Sequence, residues 1–200
     1  MHRHIAGKAG YHHGNLRAQL VEASRQLVEE KGPDHFSVSE ACRVAGVSTA
    51  APYKHFRDKA DMLKAVALGG LAREQAQMQA ALAENSAEGH ERIKALGRVY
   101  IRFACEEPGV FRLLFGSFGA NADDPELTEK GEANYALLQQ EVMRGLGRQT
   151  VDAEVEKRSL MLWSFVHGLA FLMIDGKVEQ DTAAGDLDVL LDEVSRRMMG

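Results

Sequence analysis

Apolar residues in this chain return every three or four positions and almost never every two. In NLRAQLVEASRQLVEEKGP, Leu16, Leu20, Ala23, Leu27 and Val28 share one face of a 3.6-residue helix. Asn15 can cap its start, and Gly32-Pro33 supplies the stop. Alternating Val/Ile/Thr runs bounded by Asn-Gly or Asp-Gly turns, the mark of strands and hairpins, are missing from the sequence. The chain is therefore expected to be all-α.

The helices can be followed to the end. In FSVSEACRVAGVS, Ser37 and Glu40 have capping-box spacing, Val38, Ala41, Cys42 and Ala45 form a small apolar face, and Gly46 ends the helix. VSTAAPYKHF, Val47 to Phe56, follows a tight turn and reads as a third short helix. With Thr49 as its N-cap, Pro52 falls at the third helical position, whose amide has no partner within the helix. Asp58 then caps a long helix that runs into an Ala/Gln-rich stretch. Helices over RIKALGRVYIRFACEE, VFRLLFGSF, Leu127–Leu146, Asp152–Ile174 and Asp186–Met199 bring the total to about nine, with no internal repeat.

At 45% hydrophobic and 26% charged residues, the 200-residue chain has the composition of a soluble globular protein with a real core. MHRHIAGKAG has no apolar stretch of signal-peptide type behind it. The nearly apolar run Leu160–Ile174 is shorter than the ~20 residues a membrane span needs and contains Ser164 and His167. A cytoplasmic protein with no membrane partner is the expectation. Cys42 and Cys105 form no CxxC pattern, and His2, His4, His12 and His13 lack zinc-ligand spacing, so neither metal nor cofactor is expected. HExxH, GxSxG, P-loop and Rossmann fingerprints are missing, and Gly145-Leu-Gly147 alone is too weak to suggest one. Nothing in the sequence nominates a catalytic residue.

The net charge of -5 hides an asymmetry. Residues 1–60 carry nine Lys/Arg against six Asp/Glu, while residues 61–200 carry fifteen against twenty-three. An anion-facing module attached to an acidic body fits that division, with a boundary near residue 58. Two short helices around a Gly-containing turn form a helix-turn-helix pattern. Its second segment offers Thr49, Tyr53, Lys54 and His55 to phosphates and base edges, and its small residues Ala50, Ala51 and Pro52 allow close approach to a groove. Lys59 opposes the dipole of the helix it begins, which suits a nearby anion. Arg3, Lys8, His12 and His13 form either a DNA-following arm or a frayed terminus.

YHHGNLR, FSVSEACRVAGVS, APYKHF and DKADML, spanning Tyr11 to about Leu71, resemble the DNA-binding domain of TetR-family transcriptional regulators. LWSFVHGLAFL resembles the Trp-x-x-x-His-Gly signature of a regulatory-domain subgroup in that family, carried by Trp163, His167 and Gly168. The resemblance implies a DNA-binding domain over 1–58, an effector-binding and dimerisation domain over 59–200, and a homodimer on a near-palindromic double-stranded operator. A repressor released by a small-molecule effector is the implied mode. Ser37 and Ser48 would bind phosphates, Thr49 and Tyr53 bases or phosphates, and His55 and Lys59 the DNA backbone, with Phe56 packed inward.

Tyr100, Phe103, Phe111, Phe115, Trp163 and Phe171 either pack the core of the body or line an effector pocket. His167 is either a polar group of that pocket or a histidine satisfied by a neighbour. Gly168 inside a helix implies a close approach that offsets its ~1 kcal/mol cost. Leu160 and Gly168, with the stripe Leu187, Leu190, Leu191 and Val194, are the candidates for a four-helix dimer interface; intramolecular packing is the alternative. A dimeric ligand-binding protein with a vestigial DNA-binding module is the competing function.

Overall fold

The structure, a computed structural model, describes residues 16–84, 88–116, 124–178 and 186–200. Asn15 and the arm residues Arg3, Lys8, His12 and His13 lie outside the described residues. Eight α-helices follow in order: α1 Leu16–Lys31, α2 Val38–Val44, α3 Lys59–Glu84, α4 His90–Glu106, α5 Pro108–Phe115, α6 Pro125–Gly145, α7 Ala153–Ile174 and α8 Leu187–Met199. No strand occurs among the described residues.

Local chemistry sets most boundaries. Gly32 ends α1 at φ 81°, where a side chain would be strained, and its amide donates to the Val28 carbonyl. The Ser37–Glu40 capping box is formed in both directions. Asp58 accepts from the Asp61 amide at the start of α3, and Asp124, Asp152 and Asp186 each accept from two first-turn amides of α6, α7 and α8. Pro108 and Pro125 sit at N1, where the missing N–H would have been unpaired in any case.

The third expected helix takes another form. Ser48 to His55 is a turn running into a single 3-10 turn, Pro52–Lys54, whose N-cap is Ala51. Pro52 therefore stands at N1, not at the third helical position, and Thr49 is not the cap. The Ala51 amide bonds to the Ser48 carbonyl, three residues back, which begins the tight winding before the proline is reached.

α4 is the axis of the body and packs against α3, α5, α6, α7 and α8, while α1 packs on α2, α3 and α5. One apolar core runs from Leu20 and Phe56 through Phe103 and Phe111 to Leu191. A smaller cluster gathers Ile93, Val142, Val155 and Leu162. The Arg92–Glu141 pair, at 2.7 Å, ties α4 to α6 beside it.

The contact between α1 and α5 has a distinctive chemistry. Glu107, the N-cap residue of α5, makes no side-chain cap and instead pairs with Arg73 of α3. The orphan amides of Gly109 and Val110 are bonded at 2.8 and 2.9 Å by the carboxylate of Glu29, on α1. A β-carbon on Gly109 would fall 2.5 Å from the Val28 carbonyl oxygen, so only glycine permits this approach.

Candidate functional site: a helix-turn-helix face and an internal cavity

At the helix-turn-helix, Pro52 and Phe56 point inward, with Phe56 buried and the Arg17 guanidinium 5.2 Å above its ring. Between and ahead of these anchors, Ser48, Thr49, Ala50, Tyr53, Lys54 and His55 are all exposed, Tyr53 at 66%. The turn thus offers six consecutive or near-consecutive groups to an outside partner on a fixed base. Ser37 is also exposed, but its hydroxyl is committed to Glu40 at 3.2 Å. Lys31, bonded at 2.6 Å, with the Ser37 amide, holds the Glu40 carboxyl down at about 2. Lys59 donates to the Asp34 carbonyl at 2.9 Å and lies 4.8 Å above the Phe36 ring. Its position against the α3 dipole is therefore compensated within the chain, without an external anion. Arg43 and Arg57, not singled out in the sequence, add exposed positive charge on either side of this turn in the chain.

A cavity of about 570 Å³ opens within the body among α3, α4, α6, α7 and α8. Of the seven residues named above for core or pocket, Tyr100, Phe115 and Trp163 line it. Phe103 and Phe111 do not; both are fully buried in the core. His167 stands behind the wall, among Phe111, Phe115, Trp163 and Phe171, with ring centroids 5.0–5.8 Å away. The Trp163 indole N–H donates to the Tyr100 hydroxyl at 3.3 Å, and that hydroxyl lies 2.7 Å from His167 Nδ1. Burial lowers the pKa of His167, favouring a neutral ring whose Nδ1 accepts from Tyr100. Burial also pushes the Tyr100 phenol well above its ordinary range, keeping it a donor. The histidine is thus satisfied by a neighbour, and that neighbour forms part of the cavity wall.

The cavity's most unusual group was not among the expected ones. Glu74, on α3, lines it at 1% exposure. Its Oε2 accepts from Asn134 Nδ2 at 2.9 Å, and Asn134 also donates to the Leu71 carbonyl. Oε1 has no partner. Burial raises the carboxyl to about 7.

The proposed interface residues separate into two sets. Leu191 is 1% exposed, lines the cavity and lies against Gly97, where an added β-carbon would meet its Cδ2 at 2.9 Å. It faces the interior of its own chain, where no second subunit can reach it. Val194 lines the cavity too, and Leu187 and Leu190 pack half-buried on the core. On the outer side of α7, Leu160 is 53% exposed, Met161 and Leu172 are exposed with it, and nothing lies within 4 Å of a β-carbon placed on Gly168. The only large apolar residue exposed on α8 is Val189.

Two family profiles match the chain: the N-terminal domain of bacterial regulatory proteins of the tetR family over residues 20–66, and the Tetracyclin repressor-like C-terminal domain over 93–198. The chain belongs to the TetR family. Its fold and family are those of DNA-binding transcriptional regulators. Among solved structures, a Rhodococcus sp. RHA1 protein of unknown function is 28% identical, with TM-score 0.80 over 96% of this chain and 97% of its own. A TetR-family regulator from Streptomyces coelicolor is 18% identical, TM-score 0.74, over 92% and 80%. FadR from Bacillus subtilis, solved in complex with stearoyl-CoA, is 15% identical, TM-score 0.72, over 92% and 97%. No curated protein matches significantly.

In this TetR-family chain no helix among the described residues is long and apolar enough to cross a membrane. Among the described residues the group that comes near a metal-ligand set is His90, Glu91 and Asp192. The Lys94 ammonium already lies 3.5 Å from Asp192 and 3.7 Å from Glu91, supplying a cation there. Glu74 escaped sequence reasoning because REQAQMQAAL reads as a solvated helix. One signal was available: Ala67, Leu71, Glu74 and Met78 fall at 3–4-residue spacing, which places the carboxylate on an apolar stripe.

Proposed function

We propose that this regulator is a ligand-released repressor, acting on cytoplasmic DNA as a homodimer whose two reading segments meet successive major grooves of a near-palindromic operator. Residues 1–58 form the DNA-binding unit and residues 59–200 the effector-binding and dimerising unit. Thr49, Tyr53, Lys54 and His55 contact DNA, with Ser48 and Ala50 at the groove surface. Ser37 and Lys59, both held by intramolecular bonds, support the scaffold and reach phosphates only by exchanging those bonds. Subunits pair through the outer face of α7, around Leu160, Gly168 and Leu172, with Val189 of α8.

The observation that carries this reading is the join between its parts. The cavity wall includes Phe115 of α5, and α5 is capped by Glu29 of α1, the helix that also supports the reading segment through Arg17 and Phe56. A ligand that shifts α5 changes the attitude of α1. It alters operator affinity only by the difference between its affinities for the two attitudes. That a structural neighbour holds stearoyl-CoA supports an effector with an apolar portion.

Selection of bound fragments from genomic DNA tests the proposal. Recovered sites are expected to share a two-fold motif, and affinity is expected to fall steeply with salt as phosphate counterions are released. Recovery of no common motif, with weak binding at every salt concentration, overturns it.

A further inference from the structure

Taking the cavity as the effector site proposed above, we propose that its ligand is an apolar molecule carrying a protonated amine, held by the unpartnered oxygen of Glu74.

The walls fix the first half. Leu71, Met78, Ile93, Leu138, Leu162 and Val166 make the cavity predominantly apolar, and its size is that of a site for a drug-sized molecule. The polar groups fix the second. Trp163 donates to Tyr100, and Tyr100 meets His167. Asn134 divides its amide hydrogens between Glu74 and the Leu71 carbonyl. Among the fully buried oxygens of the lining the one left unmet is Glu74 Oε1, while Tyr135 adds a hydroxyl that can donate or accept. Ionised, the Glu74 oxygen calls for a ligand donor; protonated, it carries a hydrogen of its own, so the charge of the ligand decides which form is bound.

Charge selects among donors. Among the described residues no ion pair involves Glu74, although buried carboxylates are ordinarily paired. Arg73 is bonded to Glu107 and Arg92 to Glu141, both elsewhere. Lys94 is the basic residue on the lining, and its ammonium lies near Glu91 and Asp192. Glu132, exposed, adds a second carboxylate to the lining. A cation supplies both the hydrogen and the missing counter-charge, and it draws the Glu74 carboxyl into its ionised form. A carboxylate or phosphate ligand would either set two negative charges together in a poorly solvated space or hold Glu74 in its protonated form, leaving the ligand's own charge without a counter-charge.

The chain contains one tryptophan, and it lines the cavity, so Trp163 fluorescence reports occupancy directly. Decylamine, decanol and decanoate, matched in chain length, are titrated into the full-length protein at neutral pH. Decylamine is expected to bind about tenfold or more tightly than decanol, the scale of a hydrogen bond to a charged group, with decanoate weakest. Glu74→Gln keeps the acceptor for Asn134 and removes the charge; it is expected to lose the preference for decylamine over decanol. Decanol or decanoate binding as tightly as decylamine, no saturable response to decylamine, or undiminished preference in Glu74→Gln overturns the amine. A second arm measures operator binding. Glu74-dependent decylamine binding that leaves operator affinity unchanged retains the ligand class and overturns the effector reading. Release of DNA by decanoate does the opposite.

Discussion

Replacing Glu29 by Ala should loosen α5 without touching either the reading segment or the cavity. The carboxylate accepts from the amides of Gly109 and Val110, while Pro108 has no amide hydrogen and Phe111 bonds to the Glu107 carbonyl. Every donor in the first turn of α5 is thereby accounted for, and two depend on a residue about eighty positions away. Hydrogen bonds to charged groups are worth about 1.5–3 kcal/mol each, and the partial burial of this pair places the total at about 2–4 kcal/mol. For a chain of this size each kcal/mol moves Tm by about 2–4 °C, so a fall of about 4–16 °C is expected. Glu29→Gln retains one acceptor oxygen and should lose about half as much. Thermal unfolding followed by Trp163 fluorescence measures both variants. Coincident melting curves for Glu29→Ala and the parent chain would show that water satisfies these amides equally well, and the coupling of α1 to α5 would have to be sought elsewhere.

Three further outcomes follow from the site. Tyr53→Ala removes an exposed side chain, so stability should change by less than about 0.5 kcal/mol while operator affinity falls about tenfold or more, measured by fluorescence anisotropy; equal affinity removes Tyr53 from the interface. Gly168→Leu has open space within its own chain but should wedge paired α7 helices apart, weakening the dimer by about 1–3 kcal/mol in sedimentation equilibrium; an unchanged dimer constant places the interface away from α7. Glu74 retains its proton to about pH 7 when folded but only to about 4.5 when unfolded, so over that window the folded state binds more protons and stability falls as pH rises. The loss amounts to about 3 kcal/mol and is complete above the folded pKa. Glu74→Gln should lack this slope in urea unfolding at pH 5 and pH 8; an identical slope in the variant assigns the pH dependence to other groups.

What the sequence disclosed was local. Gly32, the Ser37–Glu40 box and the aspartates at 58, 152 and 186 act on amides within four residues of themselves, so their effects were legible without the fold. The segment at Pro52 was harder. Whether a proline falls at N1 or N3 depends on where the preceding turn closes, and here Ser48–Ala51 closes first. Leu187, Leu190, Leu191 and Val194 were visible as an apolar stripe, but whether it meets its own chain or another is decided by packing; Gly97 opens the space that draws Leu191 inward. Glu74 and Glu29 were least accessible, since each is an ordinary charged helical residue until a distant element covers it.

The borrowed cap on α5 has a consequence for how such a protein can be recombined. A cut at residue 58, the proposed boundary, leaves the first turn of α5 without its acceptor. An eight-residue helix has little capacity to hold itself together alone. Grafting another reading head onto this body would therefore succeed only if the incoming first helix brought a carboxylate to position 29 and left room for Gly109. The unit of exchange is larger than the unit of DNA recognition, and its hidden edge is a pair of amide hydrogens.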